Sequence, residues 1–130
     1  MKTILALLAS LSLAAFAVAA SAEVTDISQK DLQAAVTSKS AVIFDVNGTD
    51  SYRDGHIPGA IDFIAHKNEV AALLPADKNA LVVAYCRNEQ CTAYRAAARA
   101  ALDLGYTNVK HFAPGIEGWI KSGAPTEKAD

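Results

Sequence analysis

The chain has 130 residues, 52% of them hydrophobic and 20% charged, and its 12 basic and 14 acidic side chains give a formal net charge of −2. That length fits one domain with a real but modest core. The charges are scattered, which excludes the clustered Lys and Arg that a nucleic-acid backbone or an anionic membrane surface requires.

Residues 1–22 have the form of an export signal. Lys2 supplies a positive start, Ile4 to Ala20 is apolar apart from Ser10 and Ser12, and Ala20-Ser21-Ala22 is a small-x-small cleavage pattern. As a membrane anchor the 17-residue stretch is short and alanine-rich, and no second span of membrane length follows. Cleavage is expected between Ala22 and Glu23, leaving residues 23–130 as the mature domain in a bacterial periplasm or outside the cell. Loss of Lys2 leaves 11 basic against 14 acidic residues, a charge of about −3.

In the mature chain, Ser28 with Asp31 three residues on predicts a capped helix start. Leu32, Ala35 and Val36 give that helix its apolar face, and Ser38-Lys39-Ser40 ends it. Ala41 to Val46 is nearly continuous apolar and β-branched, the pattern of a parallel strand buried on both faces. Asn47 to Asp50 reads as a turn, with Thr49 as cap of a short helix through Arg53. Asp54-Gly55-His56-Ile57-Pro58-Gly59-Ala60 reads as a loop of fixed geometry. A short strand over 61–64 and a helix from His66 to Leu74, stopped by Pro75, come next. Ala80 to Tyr85 predicts the strongest strand, and Thr92 to Leu104 the strongest helix, with Ala93, Ala96, Ala97, Ala100, Ala101 and Leu104 at helical spacing. Gly105 is placed as its C-cap. A last strand falls within 106–112, Pro114 to Ile120 predicts a turn and short helix, and the tail from Lys121 is expected to fray. Strands alternating with helices indicate an α/β fold with a mostly parallel sheet.

The apolar strand ends in Cys86, and Cys91 follows just before the long helix; these are the only two cysteines. Cys86 therefore stands at the carboxyl end of a buried strand beside a helix amino terminus, where α/β sheets place ligands. Backbone N–H groups there favour a thiolate, a persulfide or an oxyanion. One local structural disulfide is the plain alternative, and closing so small a loop gains little chain entropy. A strand-to-helix turn favours chemistry instead. Bonding requires Cα atoms within about 7 Å, so the loop is expected to rearrange to bring the two sulfurs together.

Phe44-Asp45-Val46, Asp54 to Ile61, Val83-Ala84-Tyr85-Cys86, Ala96-Ala97, Leu102-x-x-Gly105-Tyr106-x-x-Val109 and Gly115-x-x-x-Trp119 together resemble a single-domain rhodanese-like protein of the sulfurtransferase family. The resemblance covers about residues 26–124. It implies a three-layer α/β domain around a five-stranded, mostly parallel sheet. It implies Cys86 as the nucleophile, which takes sulfane sulfur as a persulfide and passes it to a thiophilic acceptor. Arg87, Asn88, Glu89, Gln90, Cys91 and Thr92 form the anion-binding loop in this reading, lowering the thiol pKa from about 8.5. Arg87 either attracts an anionic donor or is an exposed loop charge. Asp45 and His56 support the site through hydrogen bonds.

This sequence departs from the family pattern at two places. The last loop position, often basic, is Cys91, and Asn47 stands where an arginine often follows Asp-Val. With Glu89 nearby, efficient thiosulfate turnover is not expected. Cys91 is instead either a resolving thiol or an inward-facing filler. The alternative function is thiol–disulfide redox or sulfur relay by the Cys86/Cys91 pair. The expected partners are a small sulfur donor, a thiol or thiophilic acceptor, and an exported redox or relay protein. Neither a nucleic acid nor, after cleavage, a membrane is expected. His66 and His111 form no ligand motif with the cysteines, Trp119 and Tyr85 read as packing, and neither a metal nor a nucleotide cofactor is implied.

Overall fold

Two five-residue strands, Ala41–Asp45 (β2) and Leu81–Tyr85 (β4), lie side by side at the centre of the protein, with Ala41 opposite Leu81 and Asp45 opposite Tyr85. Their apolar runs are explained by burial on both faces. The computed structural model describes residues 22–130; the expected export signal therefore falls, but for Ala22, outside the described residues. In chain order the remaining elements are β1 (Thr25–Asp26), α1 (Gln29–Ser38), α2 (Thr49–Asp54), β3 (Ile61–Asp62), α3 (Phe63–His66), α4 (Val70–Leu73), α5 (Tyr94–Asp103), β5 (Val109–His111) and α6 (Gly115–Lys121). The strands form one sheet in the order β1-β5-β4-β2-β3, every neighbouring pair parallel. This is the expected five-stranded α/β fold.

Strand alternation divides the core in two. Phe44, Val82, Ala84, Cys86 and Val109 pack with α3, α4 and α5 on one face. Ile43, Val83, Tyr85 and Phe112 pack with Leu32 of α1 and Ile116 and Trp119 of α6 on the other. Ser28 caps α1 as expected, accepting from the Asp31 amide at 3.0 Å.

Several boundaries differ from expectation, each for a local reason. Thr49 is not the cap of α2. Gly48 holds that position at φ +97°, and the Thr49 hydroxyl donates to Asp62 Oδ2 at 2.6 Å. Asp62 also caps α3 through the Ile64 and Ala65 amides, so the chain turns helical at Phe63 and β3 is only two residues long. The single helix expected over 66–74 is therefore two short ones, and Leu74 turns extended before Pro75. The long helix begins at Tyr94, not Thr92, and buries Ala97, Ala98 and Ala101, while Ala93, Ala96 and Leu104 are exposed. The tail does not fray at Lys121. His56 and Glu127 exchange two backbone hydrogen bonds of 2.9 Å, the Ala129 amide donates to Arg53, and Trp119 Nε1 donates to the Pro125 carbonyl at 2.7 Å. No helix among the described residues is long and apolar enough to cross a membrane.

Candidate active site

Cys86 follows the last residue of β4 and exposes none of its surface. Its backbone is held from below by α6: the Ile116 amide donates to the Cys86 carbonyl and the Glu117 amide to the Arg87 carbonyl, both at 3.0 Å. The approach is so close that only glycine fits at the head of α6, where Gly115 takes φ +64°.

Beyond Cys86 the loop curls on Asn88. The Gln90 amide donates to Asn88 Oδ1 at 3.1 Å, and the Cys91 amide to the Asn88 carbonyl at 3.2 Å. This curl brings Cys91 back over Cys86, and the two are joined in a disulfide with Cα atoms 6.0 Å apart. The separation lies within the ordinary disulfide range. The structure thus holds the pair already bonded across the curled loop, where the sequence led us to expect a rearrangement. Cys91 is partly exposed, Thr92 is exposed, and the Thr92 carbonyl accepts from the Arg95 amide in the turn that leads into α5. The Tyr94 amide, first in the helix, donates to Cys86 Sγ at 3.1 Å. The proposed meeting of strand end and helix start is therefore an actual N–H···S contact.

Arg87 does not reach over the sulfurs. Its Nε donates to Glu117 Oε1 at 2.6 Å, and Asn88 Nδ2 donates to Glu117 Oε2 at 3.1 Å. These bonds hold the Glu117 carboxyl below the usual carboxylate range. Glu89 and Gln90 are exposed. Asn88, Glu89, Gln90, Pro114, Glu117, Gly118 and Lys121 line a shallow cavity of about 340 Å³ beside the loop. Arg87 pairs with Glu117, which leaves Glu89 and Lys121 as the charges of its lining without an ion pair among the described residues, one of each sign and no net positive charge for an anionic ligand.

The supporting residues lie on the other face of the sheet. Tyr85 points away from Cys86, as alternation requires, but it does more than pack. Its hydroxyl donates to Asp45 Oδ2 at 2.5 Å and accepts from the Ile57 amide at 3.0 Å. Asp45 also accepts from the Asn47 amide at 2.8 Å, so it organises the loops after β2 and before β3. Burial raises the pKa of both groups, although the hydrogen bonds to Asp45 oppose the rise there. His56 is buried, stacked on Tyr52, with Nδ1 2.8 Å from the Tyr52 carbonyl. It anchors the tail rather than joining the cysteine loop.

Sequence reasoning missed His111. It lies on the Cys86 face at the end of β5, opposite Ala84, stacked beneath Tyr94 with ring centroids 3.4 Å apart. Its Nδ1 is 3.4 Å from Asp26 Oδ1, and its buried Nε2 has no partner among the described residues. Burial holds its pKa below the usual value, against the pull of Asp26. No signal in the sequence pairs Tyr94 with His111; only the strand register does. Among the described residues no group of three or more His, Cys, Asp or Glu comes together to hold a metal ion.

Similarity to known proteins agrees with this fold. Over 87 residues the chain is 37% identical to an HTH-type transcriptional regulator of Mycobacterium tuberculosis, matching 66% of this chain but spanning only 37% of that protein. A rhodanese-related protein of Thermoplasma volcanium shares the fold at a TM-score of 0.63 and 23% identity, over 81% of this chain and 99% of that one. A human single-domain sulfurtransferase, TSTD1, does so at 0.60 and 23%, over 76% and 97%. The family model for the rhodanese-like domain matches residues 28–122, nearly the whole described chain, and the protein belongs to the rhodanese-like domain family.

Proposed function

We propose that the protein is a sulfurtransferase or sulfur carrier that moves sulfane sulfur through Cys86. Family membership supports sulfur transfer in general. The observation that carries the specific reading is the Tyr94 N–H on Cys86 Sγ at the strand end. Once the pair is reduced, that N–H and the first turn of α5 stabilise a Cys86 thiolate. The thiolate attacks the outer sulfur of a donor persulfide, forming a Cys86 persulfide and releasing the donor thiolate. A thiophilic acceptor then takes the outer sulfur and returns the Cys86 thiolate.

Cys91 gives the persulfide a second exit. Its thiolate attacks the inner sulfur of the Cys86 persulfide and expels hydrosulfide. The two cysteines are oxidised to the disulfide as the sulfane sulfur is reduced. The Cys86–Cys91 bond has the connectivity that step would leave, and it favours a second reading in which the pair relays redox equivalents to a partner protein. A persulfide mass increment on Cys86 after reduction tests the first reading.

The same proposal places the protein in the periplasm or outside the cell, on the strength of Lys2, the apolar run and Ala20-Ser21-Ala22. The protein recovered from an exporting bacterium should begin at Glu23. Retention of Met1 in the cytoplasm contradicts this placement.

A further inference from the structure

We propose that thiols open the closed site at Cys91, with Cys86 as the leaving sulfur. The inference rests on the disulfide and not on sulfur transfer, so the two stand or fall separately. Displacement at sulfur needs the incoming thiolate in line with the breaking bond, on the far side of the sulfur attacked. Cys86 has no exposed surface and belongs to the buried core that includes Phe44, Val46, Ala84 and Ala97. Cys91 is partly exposed at the rim of the same loop.

Leaving-group stabilisation points the same way. The Tyr94 amide donates to Cys86 Sγ, and among the described residues no hydrogen bond reaches Cys91 Sγ. As the bond breaks with its electron pair on Cys86, charge grows where an N–H and the amino end of the ten-residue α5 already await it. A stabilised leaving thiolate departs faster. This order places the entry sulfur after the buried one in the chain, a direct consequence of the loop curling back over the strand end.

The step balances without another reagent. An RS− ion forms a bond to Cys91 Sγ, the Cys91–Cys86 bond breaks, and Cys86 leaves as thiolate; one disulfide replaces another. A second RS− attacks the incoming sulfur of the mixed disulfide, giving RSSR and a Cys91 thiolate. The thiol is oxidised and the cysteine pair reduced.

The test uses the oxidised mature protein and 2-mercaptoethanol, a neutral thiol, mixed briefly and quenched with excess N-ethylmaleimide. Trypsin cuts after Arg87 and places the cysteines on separate peptides, 79–87 and 88–95. The expected product carries mercaptoethanol on Cys91 and maleimide on Cys86, exceeding the reverse product by about tenfold or more. Comparable amounts, the reverse pattern, or reduction with no adduct on Cys91 overturns the inference.

Discussion

Gly115 lies directly against the backbone that carries Cys86. A methyl group on its α-carbon would sit 2.7 Å from the Cys86 carbonyl oxygen and 2.5 Å from the Arg87 carbonyl carbon. These neighbours are main-chain atoms that cannot swing aside. Gly115→Ala also places a side chain at φ +64°. The variant should lose about 1–3 kcal/mol of stability. It should also slow reaction at Cys86 in molecules that remain folded, because the Ile116 and Glu117 amides would be pushed off their carbonyls. Chemical denaturation and persulfide loading of the folded fraction check both. Wild-type values in each would show that α6 does not fix the site.

Asp26 and His111 give a pH dependence of known sign. Burial holds the His111 pKa below its usual value, although Asp26 opposes this and Arg95 reinforces it. The unfolded chain therefore binds the proton first as pH falls below about 6.5. The stability this residue contributes is present above that pH and lost as pH drops through the folded value. Asp45 has a raised pKa and works in the opposite sense, its contribution being lost as pH rises through its folded value. The informative quantity is thus the difference between wild type and His111→Gln. Urea midpoints measured from pH 7.5 to 5 should fall more steeply in the wild type. Parallel curves would contradict the assignment.

If sulfur transfer runs through Cys86, the Arg87–Glu117 pair should set the choice of donor. With its one loop cation engaged at 2.6 Å, the rim is a poor receptor for a dianion. A small thiol persulfide should load the reduced protein faster than thiosulfate does. Glu117→Gln removes a negative charge and frees Arg87, so thiosulfate loading should rise by roughly three- to tenfold, with less change for the persulfide. Second-order rates at fixed pH and ionic strength measure this. A wild type that prefers thiosulfate, or a variant that leaves the ratio unchanged, would contradict the electrostatic account.

The sheet and the placement of Cys86 at a strand end were legible because they rest on strong local patterns. Ala41 to Asp45 and Leu81 to Tyr85 are apolar on both faces, and alternation alone sends Tyr85 and Cys86 to opposite sides. Ser28 and Asp31 marked a helix start that the amide geometry bears out. The phase of α5 was not legible, since a helix rich in alanine offers similar faces all round. Strand β1 is two exposed residues at the sheet edge and carries no apolar signal. The tail was missed because backbone bonds between His56 and Glu127 depend on no particular side chain. Arg87 with Glu117, and Tyr94 with His111, are joined only by the way α6 and β5 return beside β4. These tertiary pairings decide how Arg87 and His111 behave.

The central claim is that Cys86 is the sulfur acceptor, and mass measurement tests it most directly. The mature protein is reduced, freed of reductant, exposed to a small thiol persulfide or polysulfide, trapped with an alkylating agent and mapped by peptide. The account predicts one added sulfur, about 32 Da, on the 79–87 peptide that contains Cys86. It predicts no gain in Cys86→Ser, and none in the oxidised protein while the disulfide is kept closed. Undiminished sulfur loading in Cys86→Ser, or an increment confined to Cys91, would contradict it.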